Sequence, residues 1–244
     1  SSAFCVELYA TYRDELCVYL LMEAVLGGEL FYLLKFNQKF PEKTARFYAA
    51  NVILAFEHIH SKNVIFRDLK PENLLIAPNG YLKVVDFGFA KTRNDSCTLC
   101  GTPQYLAPEI ITCSNQSFAV DWWTLGVLIY EMVIGHPPFL DDVNVKMYEK
   151  ILSAAVEFPA KPRMSRTGQD LVNSLLRKHP YKRLGCGLCG ARDIEQHAWF
   201  SDFDWKQMRK QQMEPPYIPK IASKKDVSNF EYFPPEQPPQ EQLL

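Results

Sequence analysis

Three features of this 244-residue chain predict an α+β fold dominated by helices. A pair of alternating segments opens the chain and ends before Gly27-Gly28. Long stretches with apolar residues at helical spacing follow. The last 31 residues, from Glu214, hold 7 of the 17 prolines and little periodicity, and read as an extended tail lying on a surface.

In order, residues 6–12 and 16–23 read as strands, with Arg13-Asp14-Glu15 as their turn. Residues 29–36 form a short helix, and Pro41-Glu42 opens a longer one. Within it Ala49, Val52, Ile53, Phe56 and Ile59 share one face, which is expected to be buried. Short β-rich runs occupy 64–66, 74–76 and 82–85, with Pro78-Asn79-Gly80 turning between the last two. Residues 119–134 are apolar nearly all round, the mark of a helix at the centre of a helical body. Helical patterns recur at 145–153 and 169–177, and there is no internal repeat.

Composition narrows the function. Hydrophobic residues make up 47% and charged residues 23%, which excludes disordered and fibrous classes. Lys and Arg number 27 against 28 Asp and Glu, so no excess positive charge is available for nucleic acid. The richest apolar stretch, 122–134, is short and carries Glu131, so no membrane span is expected. Seven cysteines, an odd number, suit a reducing compartment, and the first residues show no secretory signal; a cytoplasmic or nuclear location is expected.

The chemistry concentrates in Phe66-Arg67-Asp68-Leu69-Lys70-Pro71-Glu72-Asn73, between the long helix and a short strand. An acid to position a hydroxyl, a Lys for phosphate charge and an Asn for a metal are what phosphoryl transfer requires. Asp86-Phe87-Gly88 begins 13 residues after Asn73 and follows a strand; its carboxylate can hold Mg²⁺ and its glycine lets the backbone turn.

In this order and spacing the two runs resemble the protein-kinase signature set, and Ala107-Pro108-Glu109 completes it. Asp121-Trp122-Trp123 through Met132 is similar to the family's central helix, and Arg183 to its late Arg. With Thr98-Leu99-Cys100-Gly101-Thr102-Pro103, and Tyr217-Ile218-Pro219-Lys220 and Ser228-Asn229-Phe230 in the tail, the chain most resembles the AGC group of Ser/Thr kinases, and within it the cAMP-dependent enzymes. The resemblance covers essentially the whole chain. It implies a protein-kinase-like fold, mainly the helical larger lobe with a remnant of the smaller lobe's sheet. Residues 1–23 would be that remnant (the lobe's fourth and fifth strands), 24–200 the hinge and larger lobe, and 201–244 the AGC-type tail.

The resemblance also implies roles. Asp68 would accept the substrate hydroxyl's proton, Lys70 would balance charge on the γ-phosphoryl of ATP, and Asn73 and Asp86 would hold Mg²⁺. Met22, Glu23, Val25, Glu29 and Leu75 would line the nucleotide site. Glu29, Glu72 and Glu131 would grip Arg side chains upstream of the target Ser or Thr, since carboxylates take guanidinium bidentately. Leu99, Pro103 and Leu106 would dock a hydrophobic residue after it. Thr98 would be phosphorylated in the active state, with Arg67 and Lys91 pairing its phosphate, so that Thr98→Ala is expected to lower activity. Glu109 with Arg183, and Asp121 beside Arg67, would be structural, and His58 and His60 structural histidines. Expected partners are Arg-directed protein substrates and a cyclic-nucleotide-binding regulatory subunit. cGMP-dependent and other AGC kinases share most of these motifs.

Several residues depart from the pattern. Phe66 stands where His or Tyr is usual, and is expected to pack on Phe87; Gln104 replaces a Glu and Val85 a Thr. The Gly-rich loop, the small-lobe Lys and its partner Glu do not occur in these 244 residues. Either the chain is part of a longer one, or the protein lacks that lobe and is a catalytically inactive scaffold. By itself the chain is expected to bind ATP poorly. Gly185-Cys186-Gly187-Leu188-Cys189-Gly190 fits a dinucleotide-loop pattern but follows no strand, and Cys186-x-x-Cys189 has no second pair at zinc spacing, so a plain loop is expected.

Overall fold

Asp14 makes the first turn. Its Oδ1 accepts from the backbone N–H groups of Leu16 (2.9 Å) and Cys17 (2.7 Å), so residues 14–17 leave the ladder. Strands β1 (Leu8–Arg13) and β2 (Val18–Met22) pair antiparallel on either side, with a register shift between Leu8 and Ala10. The second strand is thus shorter at both ends than its alternation suggests. The computed structural model describes residues 2–92, 101–114, 116–161 and 163–231.

Helix α1 (Leu30–Asn37) is followed by α2 (Glu42–Ser61), which starts one residue after Pro41. A proline there costs no hydrogen bond, because the first turn's N–H groups have no helical partner anyway. The predicted face of α2 is buried, including Ala49, Val52, Ile53, Phe56 and Ile59. Asn51 is buried with it and fully engaged. Its Nδ2 donates to Phe47 O (2.7 Å) and its Oδ1 accepts from Leu82 N (3.0 Å), which fixes α2 to the strand beside it.

Four short strands follow: β3 (Val64–Ile65), β4 (Leu74–Ile76), β5 (Leu82–Val84) and β6 (Lys91–Thr92). They form two antiparallel pairs, β4 with β5 and β3 with β6. The first pair is flanked by both ends of the opening segment: Val6 N donates to Val84 O (3.0 Å), and Gly27 N to Ile76 O (2.9 Å).

The body is completed by α3 (Pro108–Ile111), α4 (Ala119–Ile134), α5 (Asn144–Ser153), α6 (Arg166–Leu175), α7 (Ala191–Glu195) and α8 (Trp205–Arg209). In α4 every residue except Glu131 is buried, as a helix apolar on all sides requires. Each buried Leu, Ile or Val in it contributes about 1.5–3 kcal/mol. Helix α6 begins three residues before its apolar pattern. Ser165 caps it, accepting from Gly168 N (3.0 Å), and the chain leaves the helix ahead of Pro180. Helices α3, α7 and α8 are too short to show a period in sequence.

The proline-rich segment carries no helix or strand among its described residues. It is held on the surface by Asn229, whose Nδ2 donates to Leu26 O and Lys220 O, both at 3.0 Å. No helix of the described residues is long and apolar enough to cross a membrane.

Candidate active site

Arg67 follows β3 with a left-handed backbone (φ 71°), a costly conformation for a side chain of its size. Buried Asp121, in the first turn of α4, holds the turn. Its Oδ2 accepts from Phe66 N (3.0 Å) and its Oδ1 from Arg67 N (2.8 Å). A third contact to Asp121 comes from His60 Nε2, at the end of α2, 2.7 Å from Oδ2. The central helix thereby sets the backbone from which Asp68 projects.

Asp68 is buried, and its two oxygens differ. Oδ2 meets Lys70 Nζ at 3.1 Å and accepts from Asn73 Nδ2 at 2.8 Å. Oδ1 is buried without a hydrogen-bond partner among the described residues, which is rare for a carboxylate oxygen. Gly101 (φ 113°) faces it: a Cβ there would lie 3.9 Å from Oδ1 and 3.3 Å from Arg67 O. The left-handed backbone, with Leu106 Cδ2 at 3.2 Å from where a Cβ would lie, is what requires glycine there.

Asn73 and Asp86 lie next to one another through the β4–β5 pairing. Leu74 is opposite Val84, and Val85 N donates to Asn73 O (3.0 Å). Asp86 is left-handed as well (φ 61°), with Oδ1 accepting from Gly88 N (3.0 Å). Phe87 turns its ring edge-on to Phe66 at 5.3 Å. Two oxygen-bearing side chains, amide and carboxylate, are the hard donors that Mg²⁺ takes, and Mg²⁺ is ordinarily held by one or two carboxylates plus phosphate oxygens. Among the described residues no group of three or more His, Cys, Asp or Glu could hold a metal ion.

The residues expected around adenine gather where β2 gives way to β4. Met22 is 45% exposed, Val25 is buried, and Leu75 bridges Glu29. The carboxylate of Glu23 is engaged by Lys83 Nζ at 2.8 Å, leaving only its backbone for a base.

Glu29, Glu72 and Glu131 form one acidic field. Burial pushes the Glu131 carboxyl above its ordinary range, a hydrogen bond from the Tyr105 hydroxyl pulls it back, and the Glu72 charge adds to the rise. Burial likewise raises Glu29, with Glu72 and Glu231 reinforcing it. Glu231, in the tail, accepts from the Tyr32 hydroxyl at 2.6 Å. Tyr105 and Glu231 are additions that local sequence could not supply. Nothing in the pattern around Tyr105 points to a carboxylate 26 residues on.

Of the residues expected to take a hydrophobic side chain, Pro103 is half-buried, Leu106 is only 5% exposed, and Leu99 lies outside the described residues. Thr98 and Cys100 lie outside them too, as do Tyr232, Phe233 and the terminal residues 241–244. Arg67 donates from Nε to Phe89 O (2.7 Å) and from Nη1 to Gln116 Oε1 (2.9 Å). Lys91 sits opposite Ile65 on β6, near the same turn.

Arg183 and Glu109 meet bidentately in the interior, Nη1 to Oε1 at 2.7 Å and Nη2 to Oε2 at 3.0 Å. The remaining donors reach Arg177 O and Ala119 O, and the guanidinium lies 5.1 Å from the Trp123 ring centre. The Gly185–Gly190 stretch is a loop of turns, with no strand before it.

The central helix thus fixes an Asp–Lys–Asn loop beside the Asp-Phe-Gly turn. Residues 1–200 match the model of the protein kinase domain, and the chain belongs to the protein kinase family. It is 47% identical over 235 residues to a cAMP-dependent protein kinase catalytic subunit of Dictyostelium discoideum, covering 96% of this chain and 36% of that protein. It is 46% identical to the human cAMP-dependent protein kinase catalytic subunit PRKX, covering 96% and 65%, and 45% identical to the cGMP-dependent protein kinase egl-4 of Caenorhabditis elegans, covering 99% and 32%. The chain therefore spans from about a third to just under two thirds of the length of these relatives.

Proposed function

We propose that this chain supplies the larger lobe of a Ser/Thr protein kinase that transfers the γ-phosphoryl group of Mg-ATP to proteins with Arg upstream of the target. The first strand pair and residues up to 23 belong to the smaller lobe, 24–200 to the hinge and larger lobe, and 201–244 to the tail. The observation that carries the reading is the buried Oδ1 of Asp68, which has no partner among the described residues. It is an acceptor held ready for a hydroxyl proton, while Lys70 and Asn73 occupy the other oxygen.

When bound, Mg-ATP supplies the electrophilic phosphorus and neutralises its charge. Asn73 and Asp86 would hold the ion, and residues 22–25 with Leu75 the base. Asp68 orients the incoming alcohol through Oδ1 and takes its proton. Lys70 keeps the Asp68 carboxylate aligned and adds positive charge toward the transferred group. The testing experiment measures ADP release with an Arg-Arg-x-Ser peptide, using the protein that carries this chain. Release dependent on the peptide supports the reading, and turnover of an acidic peptide at the same rate overturns the substrate class.

The acidic field makes two further predictions. Glu131→Gln keeps the shape and the Tyr105 hydrogen bond but removes the charge. KM for the Arg peptide is expected to rise about 10- to 100-fold, the worth of one hydrogen bond to a charged group, with kcat little changed. Steady-state kinetics checks the split. Because Glu29 and Glu131 are raised, they protonate on acidification before an ordinary Glu does. Peptide affinity is therefore expected to fall with pH ahead of general carboxylate titration. The fold itself does not weaken through these two groups: acids with raised values favour the folded state when protonated. A titration of Kd against pH, alongside far-UV circular dichroism, separates the two effects.

Regulation completes the proposal. A phosphate on Thr98 would be met by the Arg67 guanidinium and by Lys91, and a cyclic-nucleotide-binding subunit would control access. The family names of the relatives support both the cAMP and the cGMP version.

A further inference from the structure

The loop that leads into α7 carries two thiols that phosphoryl transfer does not use. Cys186 is half-buried and packs against the core, while Cys189 is exposed. Only Gly187 and Leu188 separate them. The chain bends at Gly187 and enters a hydrogen-bonded turn there, Gly190 N donating to Gly187 O at 3.2 Å. Residues three apart in a turn come within about 7 Å, and a disulfide spans roughly 4.4–6.8 Å between Cα atoms, so the two sulfurs are within reach of each other. Both residues also line one cavity beside the start of α4.

Closing the pair would disturb little packing. Leu188, between the two, is fully exposed, and Gly190 has open space where a Cβ would point. Glycine at 187 and 190 lets the backbone adjust at low cost. The two thiols differ in the way an exchange reaction requires. Cys189 is open to a sulfur arriving from solvent. Burial pushes the Cys186 thiol up to about 11, with Arg183 opposing the rise, so its thiolate is scarce and it is the poorer first nucleophile.

We propose that Cys186 and Cys189 form a redox pair, which low-molecular-weight disulfides of the glutathione type convert to an intramolecular disulfide and thiols reopen. The Cys189 thiolate attacks one sulfur of the oxidant; that S–S bond breaks, and one glutathione leaves as a thiolate and takes up a proton. Cys186 then loses its proton to solvent and attacks Cys189 Sγ. The mixed disulfide breaks and the second glutathione leaves, taking up a proton in turn. Two electrons pass from the pair to the oxidant, which ends as two thiols. Disulfides that form in a reducing setting are transient and redox-sensing, which suits a chain whose seven cysteines make no structural framework. Gly185, next to Cys186, packs on Trp122: a Cβ there would stand 2.9 Å from the indole Nε1. Trp122 follows Asp121, so the pair lies close to the anchor of the Asp68 loop.

The test treats the reduced full chain with glutathione disulfide, blocks the remaining thiols with N-ethylmaleimide and digests with trypsin without reduction. Cleavage after Arg183 and Arg192 leaves both cysteines in one peptide, 184–192. By mass spectrometry that peptide is expected to lose two hydrogens, to carry neither glutathione nor maleimide, and to regain the hydrogens with dithiothreitol. Cys17, exposed and with no cysteine nearby in sequence, should stop at the mixed disulfide. Cys186→Ser is expected to hold glutathione at Cys189, and Cys189→Ser to take it up at Cys186 at least about tenfold more slowly. The proposal is overturned by a 184–192 peptide that keeps glutathione without closing, by one that stays fully maleimide-blocked while Cys17 is modified, or by equal uptake in the two serine variants. If a serine variant does not fold, the peptide mass from the parent chain decides.

Discussion

Asp68→Asn is expected to lower phosphoryl transfer by about 100- to 10,000-fold, the range for loss of a positioned acid–base group. The substitution leaves the volume and the contacts at the other oxygen nearly intact. Asn73 can still donate to the side-chain oxygen, and the Asp68 backbone carbonyl still accepts from it at 2.8 Å. What is lost is the acceptor at Oδ1, the one buried side-chain oxygen of the loop without a hydrogen-bond partner among the described residues. The drop should therefore fall on kcat, with the melting temperature unchanged and peptide KM altered little. Single-turnover kinetics alongside thermal melts checks this. A variant with full kcat would remove the catalytic reading and leave a scaffold that uses the acidic field only to hold Arg-rich partners.

The second large effect concerns stability. Arg183→Met is expected to destabilise the fold by about 3–5 kcal/mol, because it strands the Glu109 carboxylate in the interior. The pair is almost completely buried, with side-chain exposures of 0% for Arg183 and 3% for Glu109. Arg183 also caps the Arg177 and Ala119 carbonyls, so those acceptors are stranded with it. The double variant Arg183→Met with Glu109→Gln should recover part of the loss, since no charge then remains unpaired. Urea unfolding of the two variants and the parent chain measures the difference. A double variant no better than the single one would place the cost in the carbonyl contacts and not in the charge.

Long periodic elements were legible from sequence. The apolar face of α2 and the all-round apolar α4 follow from spacing alone, since only helices with those surfaces can be buried in those ways. Strand ends were less legible. Asp14 diverts two amides of the expected strand into its own side chain, and side-chain capture of that kind has no signature in hydrophobic alternation. The short helices α3, α7 and α8 span one turn or a little more and are held by tertiary packing, not by propensity.

The site divides in the same way. The order Asp68, Lys70, Asn73, Asp86 points to the proposed chemistry, because those residue types are the ones phosphoryl transfer needs and they sit in two short runs. Which Asp68 oxygen is free, however, depends on Lys70 and Asn73 both choosing the other one. That Tyr105 holds Glu131, and that tail residue Glu231 joins Glu29, depends on contacts across 26 and 202 positions.

The linear order of residues thus determined the family and the helical core, and it named the groups proposed to react; all of these rest on residue type and local period. Only the folded arrangement decided how the charges are shared: Asp121 fixing the loop from a distant helix, and Arg183 neutralised by Glu109. The physical reason is that burial and hydrogen-bond partnership are properties of neighbours in space, and chain separation carries no record of them.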